Sequence, residues 1–325
     1  MRVVTLGEIM LRLTPPGFRR LLQAETFEAE YGGAEANVAV ALAMWGEEAK
    51  FVSKVPANEL GQAAVNKLRR YGVDTGSILR GGDRLGIYYV ERGADRRASN
   101  IVYDRMNSAF ACSEAEEYDW DKIFEGADWF HFTGITPALG KRTERITQTA
   151  CEKAKGKGVR ISCDVNYRSK LWSEESARAV MENFLQNYVD LCITNEYQAK
   201  ELFSAPREQV AEYMSRKYSL GLVAFTYRKT FDATHNMISG AIYDGEHFYR
   251  SSEYLVEMVD RIGGGDAFAA GVLYGIGNRY TLEQTVRFAA AASCLKHSVE
   301  GDCCLVEKEQ ILQLADGGDL AQVKR

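Results

Sequence analysis

A chain of 325 residues and 36.3 kDa has room for one large α/β core with an appendage or for two medium domains. Its net charge of −5 and pI near 5.6 leave no basic excess to neutralise a phosphate backbone, so a nucleic-acid binder is not expected. Seven cysteines without CxxC spacing and four scattered histidines argue against a disulfide framework or a metal centre, and the N-terminal MRVVTLGEIML lacks a cleavable signal pattern, so a reduced cytoplasmic protein with no membrane partner is expected.

Residues 3–13 read as one buried strand, broken by TPPG at 14–17. The stretch FEAEYGGAEANVAVALAMWG then passes into an alanine-rich helix entered through Gly32 and Gly33 and closed by Gly46. A helix over 59–71 follows, with Gly72 as its C-cap. Two alternating runs, RLGIYYVERG and ASNIVYDR, are joined across Gly93, Ala94 and Asp95 and read as a β-hairpin. Side chains two apart on a strand share a face, so Tyr103 and Arg105 point one way, and Ile87 and Tyr89 also share a side.

From about 127 onward strand and helix alternate: ADWFHFTGI, helix 140–156, GVRISCDVN, helix 173–187, YVDLCITN, helices 196–203 and 207–218, then LGLVAFTY. Repeated strand–helix units predict a mostly parallel sheet covered on both faces, with ligands beyond the carboxyl ends of the strands. Polar clusters fall at those ends: Asp164, Asn166 and Arg168 in one, Asn195 and Glu196 in another. Helix capping accounts for some of them; Ser173 is the better N-cap, which leaves Arg168 for another role.

The most informative stretch is 259–275, VDRIGGGDAFAAGVLYG. Gly263, Gly264 and Gly265 meet Asp266 where a small-residue helix begins, so free backbone N–H groups and the positive helix end converge on a spot suited to an anion. An aspartate would oppose an anion there unless it had another task, and accepting a proton from an attacking hydroxyl is one. The alternative is a glycine-rich turn with an N-capping aspartate. An alanine-rich helix over 281–297 follows, and 315–325 reads as a fraying tail.

The 260–266 stretch resembles the C-terminal signature of the ribokinase-like (PfkB) sugar kinases, Asp-x-x-Gly-Ala-Gly-Asp, with Gly264 in place of the alanine. Gly33 to Ala39 matches most of that family's N-terminal signature, although Pro56 stands where the signature ends in glycine. The resemblance implies a ribokinase-like α/β domain over 1–325, its mostly parallel sheet flanked by helices, with a small β-sheet lid from about 10–33 and 84–106. It implies an ATP- and Mg2+-dependent transfer in which Gly263, Gly264 and Gly265 form the anion hole and Asp266 is the base. Substrate contacts would come from Gly33 and Asn37. In the branch acting on 2-keto-3-deoxygluconate, they would also come from Tyr89, Tyr103, Arg105, Arg168 and Asp302. Nucleotide contacts would come from Asn195, Thr226, Arg228, Gly263 and Gly265; no metal ligands are assigned.

Two departures stand out: Gln198 replaces the family's metal-ordering glutamate, and FTYRKTFDATHNMISG replaces a compact turn under the nucleotide. Arg105 and Arg168 exceed what the ATP end requires, and arginine forks suit a carboxylate, so a sugar acid is expected. A fructose- or ribose-type kinase is the alternative, and a catalytically silent relative is a further one. A dehydrogenase is opposed by the lack of Gly-x-Gly-x-x-Gly after the first strand. Apolar alternation in the hairpin predicts pairing of two lids into a homo-oligomer built on dimers.

Overall fold

The alternating elements build a ten-stranded sheet in the computed structural model of the chain, which describes residues 1–206 and 209–318. Its order across space is Phe248–Arg250, His235–Tyr243, Leu222–Thr230, Leu191–Asn195, Arg160–Asp164, Trp129–Thr133, Arg2–Leu6, Glu48–Val55 and Ile78–Arg80. The strands from Leu222–Thr230 through Ile78–Arg80 pair in parallel, and His235–Tyr243 adds an antiparallel edge with Phe248–Arg250 and Tyr254–Glu257. Strands covered on both faces need apolar residues at every position, and Trp129–Thr133 is buried throughout. Helices Ala34–Met44, Gly264–Gly277 and Leu282–Lys296 pack into one core, and Lys141–Gly156, Glu174–Asn187 and Val210–Tyr218 into the other. The fold is α/β with a mostly parallel central sheet flanked by helices, as the sequence predicts.

The N-terminal run differs from expectation, because residues 3–13 are two strands in two sheets. Arg2–Leu6 lies in the large sheet, while Met10–Thr14 belongs to a separate four-stranded sheet with Glu28–Gly32, Ile87–Glu91 and Asn100–Asp104. The chain crosses over at Gly7, where a Cβ would lie 2.1 Å from the Glu35 carboxylate. Glycine is the residue that lets backbone and buried acid approach so closely.

The helix over 140–156 begins at Lys141, after Gly140 breaks it from the short helix Ile135–Ala138. Ser173 caps Glu174–Asn187 by accepting from the Ser176 amide. The helix predicted from 207 runs Val210–Tyr218, and its first two predicted residues lie outside the described ones. A helix Lys308–Ala315 was not anticipated, and residues 319–325 of the predicted fraying tail lie outside the described range. No helix among the described residues is long and apolar enough to cross a membrane.

Candidate active site

The carboxyl ends of the parallel strands, the four-stranded sheet and the 260–266 loop enclose a cleft of about 970 Å³. Gly263 enters the helix Gly264–Gly277 with φ of 85°, a left-handed conformation suited to glycine. Its absent side chain would sit 1.8 Å from the Asp302 carbonyl, and one on Gly264 would sit 2.3 Å from the His297 ring. A Cβ on Gly265 would meet nothing within 4 Å, so this position opens to the cleft. The three glycines therefore have two causes: close packing beneath the loop, and room for a ligand above it.

Asp266 follows, 9% exposed, and accepts a 2.7 Å hydrogen bond from the Asn37 side-chain amide. Asn37 is placed by the helix Ala34–Met44, and its side-chain oxygen accepts from the Gly33 amide. Burial raises the Asp266 carboxyl to about 7, the Asn37 hydrogen bond opposes the rise, and the negative charges of Asp164, Asp302 and Glu35 add to it. A carboxylate poised near neutrality at a helix N-terminus is equipped to take a proton from a hydroxyl.

Two further acids line the cleft, Glu35 buried and Asp164 partly buried, to which the sequence reading assigned no role in the site. Burial raises Asp164 to about 7, with Arg168 opposing the shift. Burial also raises Glu35, against hydrogen bonds from the Thr136 and Thr133 hydroxyls and the Thr133 amide. With no basic residue bonded to it among the described residues, Glu35 joins Thr133 and Thr136 to its helix through those bonds.

The four-stranded sheet supplies the opposite wall, and here the reading of Tyr89 needs correction. Tyr88 pairs with Tyr103 across the hairpin and with Arg12 on the other side, so these three share the face toward the cleft. Tyr89 lies on the reverse face, packed edge-on against Phe27 at 5.9 Å, and does not line the cleft. A period of two makes a one-residue misassignment a complete reversal of face. Tyr103 stacks on Tyr88 and carries the Arg105 guanidinium 5.6 Å from its ring centre.

Arg105 lines the cleft but is not free: its Nε, at 2.8 Å, and its Nη2 both donate to one oxygen of Glu8, Oε2, at the crossover between the two sheets. Arg168, by contrast, is exposed and among the described residues donates only to the Tyr167 carbonyl. Asp302 is buried with both oxygens engaged, one by Arg12 at 2.6 Å and the other by the Tyr88 hydroxyl. Arg12 also binds Asp260 at 2.6 Å, and Asp260 accepts from the Ile262 and Gly301 amides. A polar chain thus runs from Tyr88 through Asp302 and Arg12 to the glycine loop. Arginine with two buried aspartates signals such a network, but its members lie 248 and 290 positions apart.

At the far end, Asn195, Thr226 and Arg228 line the cleft with Gly263 and Gly265. Asn195, the last residue of its strand, pairs with Thr226 in the middle of the adjacent parallel strand Leu222–Thr230. The Asn195 oxygen caps the helix Glu196–Phe203 by accepting from the Gln198 amide, and Glu196 pairs with Lys200. Among the described residues no group of three or more histidines, cysteines, aspartates or glutamates converges as a metal cage. Glu196 and Gln198 line the same end of the cleft.

Residues 1–308 match the model of the pfkB family carbohydrate kinases. The chain is 46% identical to a 2-dehydro-3-deoxygluconokinase of Thermotoga maritima, whose crystal structure superposes with a TM-score of 0.95 over 98% of both chains. It is 36% identical to a PfkB family carbohydrate kinase from Listeria grayi, with a TM-score of 0.94 over 97% of this chain and 100% of that one. A 2-dehydro-3-deoxygalactonokinase of Haloferax volcanii is 32% identical, covering 98% of this chain and 97% of its own length. With two family signatures in one cleft and a match along nearly its whole length, the chain belongs to the pfkB family of carbohydrate kinases.

Proposed function

We propose that the protein is an ATP-dependent kinase of 2-keto-3-deoxygluconate, or a close sugar acid, that phosphorylates the terminal hydroxyl. The observation that carries this is the buried Asp266, held by Asn37 at the mouth of the glycine loop and facing a cleft walled by Arg168 and Arg105. The names of the relatives in Thermotoga maritima and Haloferax volcanii support the substrate class.

In this reading Gly33, Asn37 and Tyr103 position the sugar, and Arg168 meets its carboxylate. Arg105 joins it by sharing its guanidinium between Glu8 and the ligand, and Tyr88 takes the place predicted for Tyr89. Asp302 acts through Tyr88 and Arg12. Asp266 accepts the hydroxyl proton as that oxygen attacks the γ-phosphorus, the bond to the ADP oxygen breaks, and ADP leaves. Amides at Gly263 to Gly265 steady the charge spreading over the transferring group. Asn195, Thr226 and Arg228 would face the nucleotide, and a bound magnesium ion would neutralise part of its phosphate charge.

The four-stranded sheet, from about 10–33 and 84–106 within a single domain of 1–325, would serve as the lid. Its reverse face carries Leu13, Tyr89, half-exposed Phe27 and Val102, an apolar surface fitted to a second lid, so a dimer-based oligomer is part of the proposal. All seven cysteines are unpaired, which supports a reducing, cytoplasmic setting.

The test is ADP release coupled to consumption of 2-keto-3-deoxygluconate, with phosphorus–proton coupling used to locate the product's phosphate. Phosphate on the terminal carbon supports the proposal; phosphate at another carbon, or no turnover, rejects it.

A further inference from the structure

The kinase reading turns Arg228 toward the nucleotide and leaves a second charge on the same wall, Arg261, without a role. Arg261, inside the glycine-loop motif, lines the cleft, and its Nε and Nη2 are buried without a hydrogen-bond partner. Arg228 lines the same wall from the end of the strand Leu222–Thr230. Its Nη2 lies 3.5 Å from Nε2 of His297. The other ring nitrogen of His297 sits 3.0 Å from the Asp260 carbonyl, which requires a proton on Nδ1 and leaves Nε2 as the acceptor for Arg228. Burial pushes the imidazole down to about 4, so a neutral ring orients Arg228 without cancelling its charge.

The two guanidinium groups lie close enough to repel one another, and neither has an ion-pair partner among the described residues. Unpaired like charges side by side are costly unless a ligand brings the balancing negative charge. The N-terminus of the helix Gly264–Gly277 adds its positive end to the same corner. A sugar carboxylate carries one charge and meets Arg168 in the loop after the strand Arg160–Asp164; two forks beside an amide cradle call for several negative charges on tetrahedral groups. We propose that Arg261, together with Arg228, clamps the terminal phosphates of the nucleotide, an assignment that rests on the kinase reading above.

The test is calorimetric binding of ADP, tripolyphosphate and adenosine to the wild-type chain and to Arg261→Met, Arg228→Met and Arg261→Lys. Loss of one phosphate fork should weaken ADP and tripolyphosphate at least tenfold in each methionine variant, leave adenosine within twofold, and flatten the salt dependence of tripolyphosphate binding. Arg261→Lys should fall between, since it keeps charge and loses the fork. ADP and tripolyphosphate affinities within twofold of wild type in both methionine variants overturn the clamp. If Arg261→Met does not fold, Arg228→Met and Arg261→Lys decide by the same criteria. A wild type that binds polyphosphate through these arginines yet phosphorylates no sugar acid sinks the substrate proposal and supports the clamp. Normal turnover with unimpaired methionine variants does the reverse.

Discussion

The side-chain amide of Asn37 donates to Oδ2 of Asp266 at 2.7 Å, across 229 positions of sequence, and so joins the helix Ala34–Met44 to the helix Gly264–Gly277 at the wall of the cleft. The Asn37 hydrogen bond engages one carboxylate oxygen and offsets part of the rise that burial imposes on the acid. The other oxygen has no protein donor among the described residues, which is the arrangement a proton acceptor needs.

Asp266→Asn should therefore lower kcat by about 10² to 10⁴ while retaining nucleotide binding. The base works only when deprotonated, and burial sets its carboxyl near 7, so wild-type kcat should rise with pH through that region. Removing the Asn37 donor takes away a contribution that lowers this value, so Asn37→Ala should move the profile to higher pH. A pH series on the three proteins checks both points, and turnover of Asp266→Asn within threefold of wild type would exclude the base assignment.

Arg12 is 1% exposed and neutralises Asp260 and Asp302 from a strand of the small sheet. Its removal leaves two buried carboxylates uncompensated, and breaking such a network costs about 3–5 kcal/mol. Arg12→Met should lose that much stability in denaturant unfolding. A loss under about 1 kcal/mol would mean that water or a neighbouring cation, such as buried Lys296, satisfies the pair.

Tyr88 and Tyr89 give a direct test of strand facing. Tyr88→Phe removes the hydroxyl that holds Asp302 and should lower kcat/KM for the sugar at least fivefold. Tyr89→Phe keeps the ring that meets Phe27 and should change kcat/KM less than twofold. Steady-state kinetics showing the opposite ranking would restore Tyr89 to the cleft.

The cationic wall makes a separate demand. Arg168→Ala should lower kcat/KM for a sugar acid about tenfold or more and spare the KM for ATP, because a desolvated charge-assisted hydrogen bond contributes about 1.5–3 kcal/mol. Arg105→Ala should lose at least as much, since it also strands Glu8, whose Oε1 already lacks a partner. Equal losses on a neutral sugar would remove the carboxylate from the explanation.

What the sequence made legible was local. The run Gly263 to Asp266 announces a backbone cradle because glycines and a helix start are adjacent in the chain, and apolar strands alternating with helices announce a parallel sheet. Facing within the hairpin was harder, since Tyr88 and Tyr89 are adjacent tyrosines and only pairing with Arg12 and Tyr103 decides between them. The break at Gly7 was hidden because the residues on both sides are mostly buried and largely apolar, one set in each sheet. Arg12, Glu8 and Glu35 were silent because a charged residue in a strand or helix reads as solvated until its distant partners are known. Asp164 was noticed as a strand-end residue, but its raised carboxyl depends on burial that periodicity does not report.

The central claim is that this cleft phosphorylates a sugar acid. Its most direct test is kcat/KM of the wild-type enzyme, with ATP saturating, for 2-keto-3-deoxygluconate against fructose and ribose in a coupled ADP-release assay. If Arg168 binds a carboxylate that neutral sugars lack, the acid should be preferred by at least tenfold over either, the ratio that one charge-assisted bond of about 1.5 kcal/mol confers. A kcat/KM for fructose or ribose equal to or above that for the acid would contradict the claim and leave a neutral-sugar kinase on the same fold.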